Sequence, residues 1–250
     1  AITAPNWVGL DNYRALLKDR LFWKSLENTL FFVFIGVPVN LVFQIAVAVL
    51  LHRPLRGIAL FRTLYYLPYL VPAIAIVILW RILFTDFGIV NHLLELFGVG
   101  KIPWFSERWI KPLIVLMAMW ASGSAVIVFL AALSGVPKYL YEAAKIDGAR
   151  PFTMFFRITL PMITPAILFS VIIQMINTFQ IFTEPWVLNR GGPNYASYTY
   201  TLNVYLTAFR ENKFGLAMAQ SWLLVVVILI VTLLLLRSSR SWVYYEGEKD

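Results

Sequence analysis

The sequence predicts an all-α integral membrane protein, and its composition and five long apolar stretches carry that prediction. Of its 250 residues, 60% are hydrophobic and only 14% are charged, whereas soluble domains typically contain about a quarter charged residues. A helix of about 20 apolar residues crosses the hydrocarbon core of a bilayer. Five stretches without any charged side chain are about that long, and they cover residues 30–51, 63–80, 112–133, 159–182 and 214–236.

Basic loops give the predicted order and orientation of these spans. Arg53, Arg56 and Arg62 lie between the first two spans without an acidic residue nearby, and such loops face the cytoplasm. Alternation then places residues 1–29 outside as an amphipathic segment, 30–236 as the membrane domain and 237–250 inside as a tail. Because the first segment cannot cross a membrane by itself, we expect one further span upstream of residue 1, six in all.

Several kinds of chemistry are excluded or disfavoured by the sequence. There is no cysteine, so disulfides and Cys-ligated metals are excluded. His52 and His92 fall in loops on opposite sides of the predicted membrane and cannot share a metal ion. No G-x-x-x-x-G-K-[ST] loop is present to bind ATP. We attribute the net charge of +8 to contacts with anionic lipid headgroups and not to nucleic acid. We therefore expect no catalytic residue, metal or cofactor in this chain.

One polar segment interrupts the apolar chain at residues 134–158. Its sequence predicts a helix with Ser134 as a cap and Pro137 in the first turn. Gly148 is the predicted stop, because glycine adopts a left-handed conformation at least cost, and Pro151 suits the start of a second helix. The periodicity leaves two interpretations open: a helix that docks on a partner protein, or an amphipathic helix that lies on the headgroups.

The same segment contains a spaced motif that resembles a known family. Glu-Ala-Ala is followed at fixed intervals by Gly, Ile, Leu and Pro, which are Glu142, Ala143, Ala144, Gly148, Ile158, Leu160 and Pro161. This pattern is similar to the EAA signature of permease subunits in binding-protein-dependent ABC importers. The stretches "WVGLDNYRALLKDRLFWKSLENTL", "LYYLPYLVPAIAIVILWRILF" and "GGP…AF…FGLAMAQS" resemble the carbohydrate branch of that family, near the maltose and glycerol-phosphate importers.

The resemblance implies a type I ABC importer permease bundle in a bacterial or archaeal cytoplasmic membrane. It also implies a coupling helix that seats in a partner ATPase through Glu142, Ala143, Ala144, Asp147 and Gly148. The expected partners are a second homologous permease, two ATPase subunits that bind ATP and Mg, and an external substrate-binding protein. The cargo implied is a sugar or a related solute, moved by alternating access.

Polar residues inside the spans are candidates for the substrate pathway, since such residues usually face a cavity or a partner helix. Ser170, Gln174 and Asn177 fall on one helical face with Thr178 beside it, and amide groups suit sugar hydroxyls. Trp120 is a candidate for stacking on a sugar ring. Trp222 is the alternative to Trp120. The further candidates are Ser122, Ser124, Asn40, Gln44, Gln220 and Ser221. The alternative is that these residues hold helices together through hydrogen bonds.

Two other functions remain open at this level. A self-sufficient channel or secondary carrier would need no partner ATPase, and the docking motif argues against it. A signalling or scaffold protein would only recruit a cytoplasmic partner, and the polar face around Gln174 argues against that. ATP-dependent uptake and co-purification of an ATPase separate these hypotheses.

Overall fold

The computed structural model describes residues 7–244, and this part of the chain is helical and contains no strand. The helices are α1 (Asp11–Lys18), α2 (Arg20–His52), α3 (Ile58–Leu70), α4 (Ala73–Leu83), α5 (Ile89–Leu96), α6 (Ile110–Trp120), α7 (Gly123–Gly135), α8 (Lys138–Ile146), α9 (Pro151–Met162), α10 (Thr164–Phe179), α11 (Thr183–Asn189), α12 (Tyr200–Tyr205) and α13 (Phe214–Ser239). A π-helical turn, Leu206–Arg210, prolongs α12. The outermost parts of the predicted outer segment and tail, residues 1–6 and 245–250, lie outside the described residues.

The five predicted spans all fall on long or paired helices. α2 and α13 are each long and apolar enough to cross a membrane alone. The other three predicted spans are helix pairs with a short break: α3 with α4, α6 with α7, and α9 with α10, the last bent by 65°. The α3–α4 pair is bent by 100° and the α6–α7 pair by 51°, so two spans are clear and there are up to five if each pair is counted as one. The predicted helical membrane architecture is therefore confirmed.

Two features of the helices differ from the predicted boundaries. α2 begins at Arg20, ten residues before the predicted span, so part of the predicted outer segment belongs to the same helix. Its Asp19 cap explains this start, because the Asp19 carboxylate accepts a hydrogen bond from the Leu21 N–H at 2.8 Å. α9 and α10 are separated at Ile163, where Pro161 and Pro165 on either side each lack an N–H for the helical ladder.

The chain forms two compact units. The first unit contains the chain up to Phe34, Ala73–Ile114 and Asn177–Val231. Its loop before α12 is held by buried side chains of α2. The Asn28 amide donates to the Tyr195 and Tyr198 carbonyls at 2.7 and 2.9 Å, and the Thr29 hydroxyl accepts the Tyr200 N–H at 2.9 Å. Two carbonyls of the irregular loop and the first N–H of α12 are thereby satisfied by one helix face.

The second unit contains Ile35–Pro72, Val115–Ile176 and the chain from Thr232. Its core is apolar and joins the end of α2, the helix α7 and the bend between α9 and α10. The buried core residues are Ile45, Ala48, Val126, Phe129, Leu133, Val136 and Ile163. Ala48 is fully buried, and so small a residue lets α2 and α7 approach closely. This core is the platform from which the polar segment around α8 projects.

Candidate functional site: the α8–α9 hairpin

The polar segment forms a helical hairpin of α8 and α9 with a sharp turn between them. Gly148 has φ +73°, the left-handed conformation predicted for it. The Ala149 N–H donates to the Ala144 carbonyl at 2.9 Å, and the Gly148 N–H donates to the Lys145 carbonyl at 3.0 Å. These two bonds are the Schellman pattern, which satisfies carbonyls that the end of a helix leaves without partners. The hairpin therefore turns where its sequence predicts.

The start of α8 differs from the prediction. Ser134 is not its cap, because the Ser134 hydroxyl donates to the Leu130 carbonyl within α7 at 2.8 Å. α8 begins at Lys138, so Pro137 is the residue before the helix, with an extended ψ of 129°, and not part of its first turn. Serine can bond its own preceding turn as readily as a following one, and the sequence does not separate these two choices. Pro151 does begin α9, as predicted.

One side of the hairpin is anchored to the core of the second unit. The Tyr141 and Thr159 hydroxyls lie 2.8 Å apart and join α8 to α9. Tyr141, Phe155 and Ile158 also pack against the buried core cluster. Apolar contacts thus join the hairpin to the core of the second unit, and a hydrogen bond joins the two helices of the hairpin to each other.

The other side of the hairpin is exposed and carries the residues predicted for docking. Glu142, Ala143, Asp147 and Gly148 are exposed, and Ala144 is partly buried. Ile146 is 87% exposed at the tip. None of the ion pairs within residues 7–244 involves Glu142 or Asp147. The structure thus brings four of the five predicted docking residues onto an accessible surface with uncompensated acidic groups.

The predicted pathway residue Gln174 is bonded to a neighbouring helix. Its amide exchanges hydrogen bonds with Gln44 of α2 at 3.0 and 3.1 Å and accepts a longer one from Asn40 at 3.3 Å. Gln44 is only 1% exposed. In the sequence, the only sign of this pairing is that two amide side chains lie four residues apart on α2. The spacing of Asn40 and Gln44 shows a shared helix face, without showing which helix it meets.

The other pathway candidates differ in exposure. Along α10, Ser170 is buried, Asn177 is exposed and Thr178 is partly buried. Trp120 ends α6 and is 38% exposed, and Ser124 lies partly buried in the first turn of α7. The Gln174 hydrogen bonds run to α2 and join none of these residues. Within residues 7–244, no group of three or more His, Asp or Glu side chains is placed to hold a metal ion.

Helices able to cross a membrane, together with a polar hairpin that projects from a packed core, define a multi-pass membrane protein. The family model for binding-protein-dependent transport system inner membrane components matches residues 42–244. The chain belongs to this family. It is a permease subunit and not an enzyme, and the predicted family is confirmed.

Curated relatives agree with this assignment. The chain is 37% identical over 257 aligned positions to the probable ABC transporter permease protein YesP of Bacillus subtilis, covering 99% of this chain and 82% of that one. It is 35% identical to the lactose transport system permease protein LacF of Rhizobium radiobacter, covering 87% and 76%. It is 31% identical to the trehalose/maltose transport system permease protein MalF of Thermococcus litoralis, covering 84% and 70%.

A solved structure shares the fold. A chain of a bacterial alginate ABC transporter, crystallised with an alginate pentasaccharide-bound periplasmic protein, superposes with a TM-score of 0.85 at 24% identity. The match covers 94% of this chain and 83% of that one. At this identity the likeness shows the shared fold alone, and together with the family match it gives the type I ABC permease fold.

Proposed function

We propose that the chain is the permease subunit of an ABC importer for sugars or oligosaccharides, and that the α8–α9 hairpin is its coupling element. The observation that carries the coupling role is the exposed Glu142 on a helix whose opposite side is fastened to the core. The names of its relatives support the cargo class, since they include lactose and trehalose/maltose permeases.

The docking chemistry follows from the exposed side of α8. Ala143 and Ala144 have short side chains, so a partner backbone can approach the helix closely. Glu142 offers a carboxylate that no cation within the described residues neutralises, and a basic group of an ATPase would form a charge-assisted hydrogen bond with it. Gly148 ends the docking helix with a sharp left-handed turn.

When the ATPases move, the membrane spans would then be displaced as a rigid body. Tyr141 ties α8 to α9 through Thr159, and α9 continues through the bend at Ile163 into α10. A helix pair fastened in this way moves as a unit when one end is displaced. In the complete importer, a second permease, two ATPases that bind ATP and Mg, and an external binding protein supply the other steps.

The substrate pathway is proposed to run along α10. Ser170, Gln174, Asn177 and Thr178 give that helix its polar face, with Trp120 and Ser124 as candidates at the break between α6 and α7. The Gln174 bonds to α2 fit both a role in holding helices together and a transient polar site. A pathway role requires that Gln174 exchange its bond to Gln44 for one to the solute during transport.

Glu142→Lys tests the coupling role. A lysine at this position would repel a basic group on the ATPase, so ATPase co-purification should fall by about tenfold or more, the effect of losing one charge-assisted bond of about 1.5–3 kcal/mol. ATP-dependent uptake into vesicles supplied with binding protein should fall with it. The matched control is Asp86→Lys, which makes the same charge change at an exposed residue of the loop predicted on the other side.

Two results would contradict the proposal. Normal uptake and ATPase capture by Glu142→Lys would remove the docking role from this surface. Uptake by the unaltered protein without ATP would instead show a self-sufficient carrier.

A further inference from the structure

A groove of about 610 Å³ lies beside α8 in the second unit. Its walls come from the end of α2, the two residues that follow it, α7, α8 and α9. Val49, Leu133 and Phe155 contribute apolar surface, and Tyr141 and Thr159 bond each other across it. The lining is therefore mostly carbon, and its two hydroxyl groups already satisfy one another.

Apart from the Tyr141 hydroxyl, the titratable side chains that line this groove are all bases. His52, Arg53 and Lys145 line it, and no Asp or Glu does. Neither Arg53 nor Lys145 belongs to an ion pair within residues 7–244, and both are exposed. Arg53 directly follows α2 and so complements the partial negative charge at that helix end. Lys145 lies in the last turn of α8 and complements that helix end in the same way.

An apolar groove with two unpaired cations at its rim fits an amphipathic anion. A free phosphate ion would use the cations and leave the apolar lining exposed to water. A phospholipid would use both parts, and this chain lies in a bilayer. Phe152 and Phe156 of α9 are 80% and 60% exposed, so apolar surface on the same hairpin extends beyond the groove. Basic groups beside such surface are attracted to anionic lipids.

We propose that this groove binds an anionic phospholipid, with the phosphate between Arg53 and Lys145 and the glycerol and upper acyl chain against Val49, Leu133 and Phe155. The lipid would join the loop after α2 to α8, and so it would stabilise the position of the hairpin. The site adjoins the docking side of α8, because Lys145 lies one helical turn from Glu142, but binding of lipid does not require a docked ATPase.

A single thiol can report occupancy, because the chain contains no cysteine. Met154 lines the groove and is partly buried, so the Met154→Cys variant places that thiol inside it. The full chain is reconstituted in nanodiscs of phosphatidylcholine with increasing phosphatidylglycerol, and the rate of maleimide modification of this chain is followed by mass spectrometry. We expect phosphatidylglycerol to slow the modification severalfold relative to phosphatidylcholine alone.

Charge variants show whether the protection arises in this groove. In the Arg53→Gln/Lys145→Gln background, half-protection should need severalfold more phosphatidylglycerol, since the two groups that would bind the phosphate directly are removed. The control is Arg56→Gln/Lys138→Gln, which removes two exposed bases from the same loop and the same helix without touching the groove lining. Protection in the control should equal that of the parent.

Four outcomes would overturn the proposal. Equal modification in both lipids would show an empty groove, and equal losses in the two charge variants would show general attraction to the membrane surface. Equal protection by inorganic phosphate in phosphatidylcholine nanodiscs would assign the groove to a soluble ion. Protection that requires an ATPase and ignores lipid would assign it to a protein. The coupling role is read from ATPase capture and ATP-dependent uptake, and the lipid site from thiol protection in nanodiscs without an ATPase, so the two proposals fail independently.

Discussion

Gly148 ends α8 with a φ of +73°, and a Cβ added there would meet no atom within 4 Å. A side chain at this position is therefore disfavoured by backbone conformation and not by lack of space. For most L-residues the left-handed conformation costs about 1–2 kcal/mol, and Asn tolerates it better than other residues. The turn of the hairpin thus depends on one residue through its φ angle.

Substitution of Gly148 should loosen the end of α8 in a graded way. Gly148→Ala and Gly148→Val should speed hydrogen exchange of the Gly148 and Ala149 amides, which close the turn, and the Ala variant by about 5–30-fold. Gly148→Asn should have a smaller effect. Hydrogen–deuterium exchange of peptides that cover residues 138–150 measures this. Identical exchange in the Ala and Asn variants would show that the left-handed turn is not limiting.

Glu184 is a second residue with a specific physical consequence. It lies in the first turn of α11, outside the membrane-spanning helices, and burial raises the pKa of its carboxyl above the usual value of 4.5. The folded protein therefore holds this proton more tightly than the unfolded chain. The contribution of Glu184 to the free energy of unfolding is therefore greatest below pH 4.5, and it falls as the pH rises through the raised pKa.

Glu184→Gln should remove that pH dependence. The variant cannot ionise, so it should be more stable than the parent at pH 7 and similar to it at pH 4. Thermal unfolding of the two proteins across this range gives the comparison. Glu211→Gln, an exposed residue paired with Lys213 in the same outer region, serves as the control. A stability gain for Glu184→Gln that persists at pH 4 would contradict the assigned cause.

At the scale of elements, the amide pair Gln44–Gln174 joins α2 to α10 inside the second unit. Interhelical hydrogen bonds of this kind in membranes contribute about 0.6 kcal/mol on average, with a maximum of about 1.7. Removing one partner also leaves a buried amide unpaired, at a cost of about 1–3 kcal/mol. The pair therefore stabilises the packing of these helices, whether or not a solute also uses it.

A double-mutant cycle separates the structural contribution from a transport role. Gln44→Leu and Gln174→Leu should each lower stability by about 1–3 kcal/mol, and the double variant should lose less than the sum of the two. Met175→Leu, a change of similar volume on the same helix, serves as the control. If stability recovers in the double variant while uptake stays low, the amides belong to the pathway. Recovery of both would assign them to helix packing alone.

At the scale of the whole molecule, the orientation of the spans remains a prediction from basic loops. Because the chain has no cysteine, cysteines introduced one at a time can map this orientation. Lys101→Cys should react with a membrane-impermeant maleimide in intact cells, since its loop is predicted outside. Arg56→Cys should react only after permeabilisation. Both parent residues are exposed, so a reversed pattern would reflect inverted topology and not burial.

The family and the class of architecture follow from features that are local in the chain. Apolar stretches of membrane-spanning length, the spacing of the motif from Glu142 to Pro161, and the Gly148 stop are each contained in a short segment. Local segments determine these features because hydrophobic length and backbone propensity act on neighbouring residues. The same reasoning placed Pro151 at the start of α9.

Only the tertiary structure decided which distant groups meet. Gln44 and Gln174 are separated by 130 positions, and Asn28 reaches carbonyls 167 and 170 positions away. The basic groove at Arg53 and Lys145 depends on such a meeting as well. Hydrophobic periodicity shows that a polar face exists, but its partner is selected by the packing of all the helices together. For that reason the sequence by itself determined the spans and the hairpin, and the folded chain decided which polar groups they bring into contact.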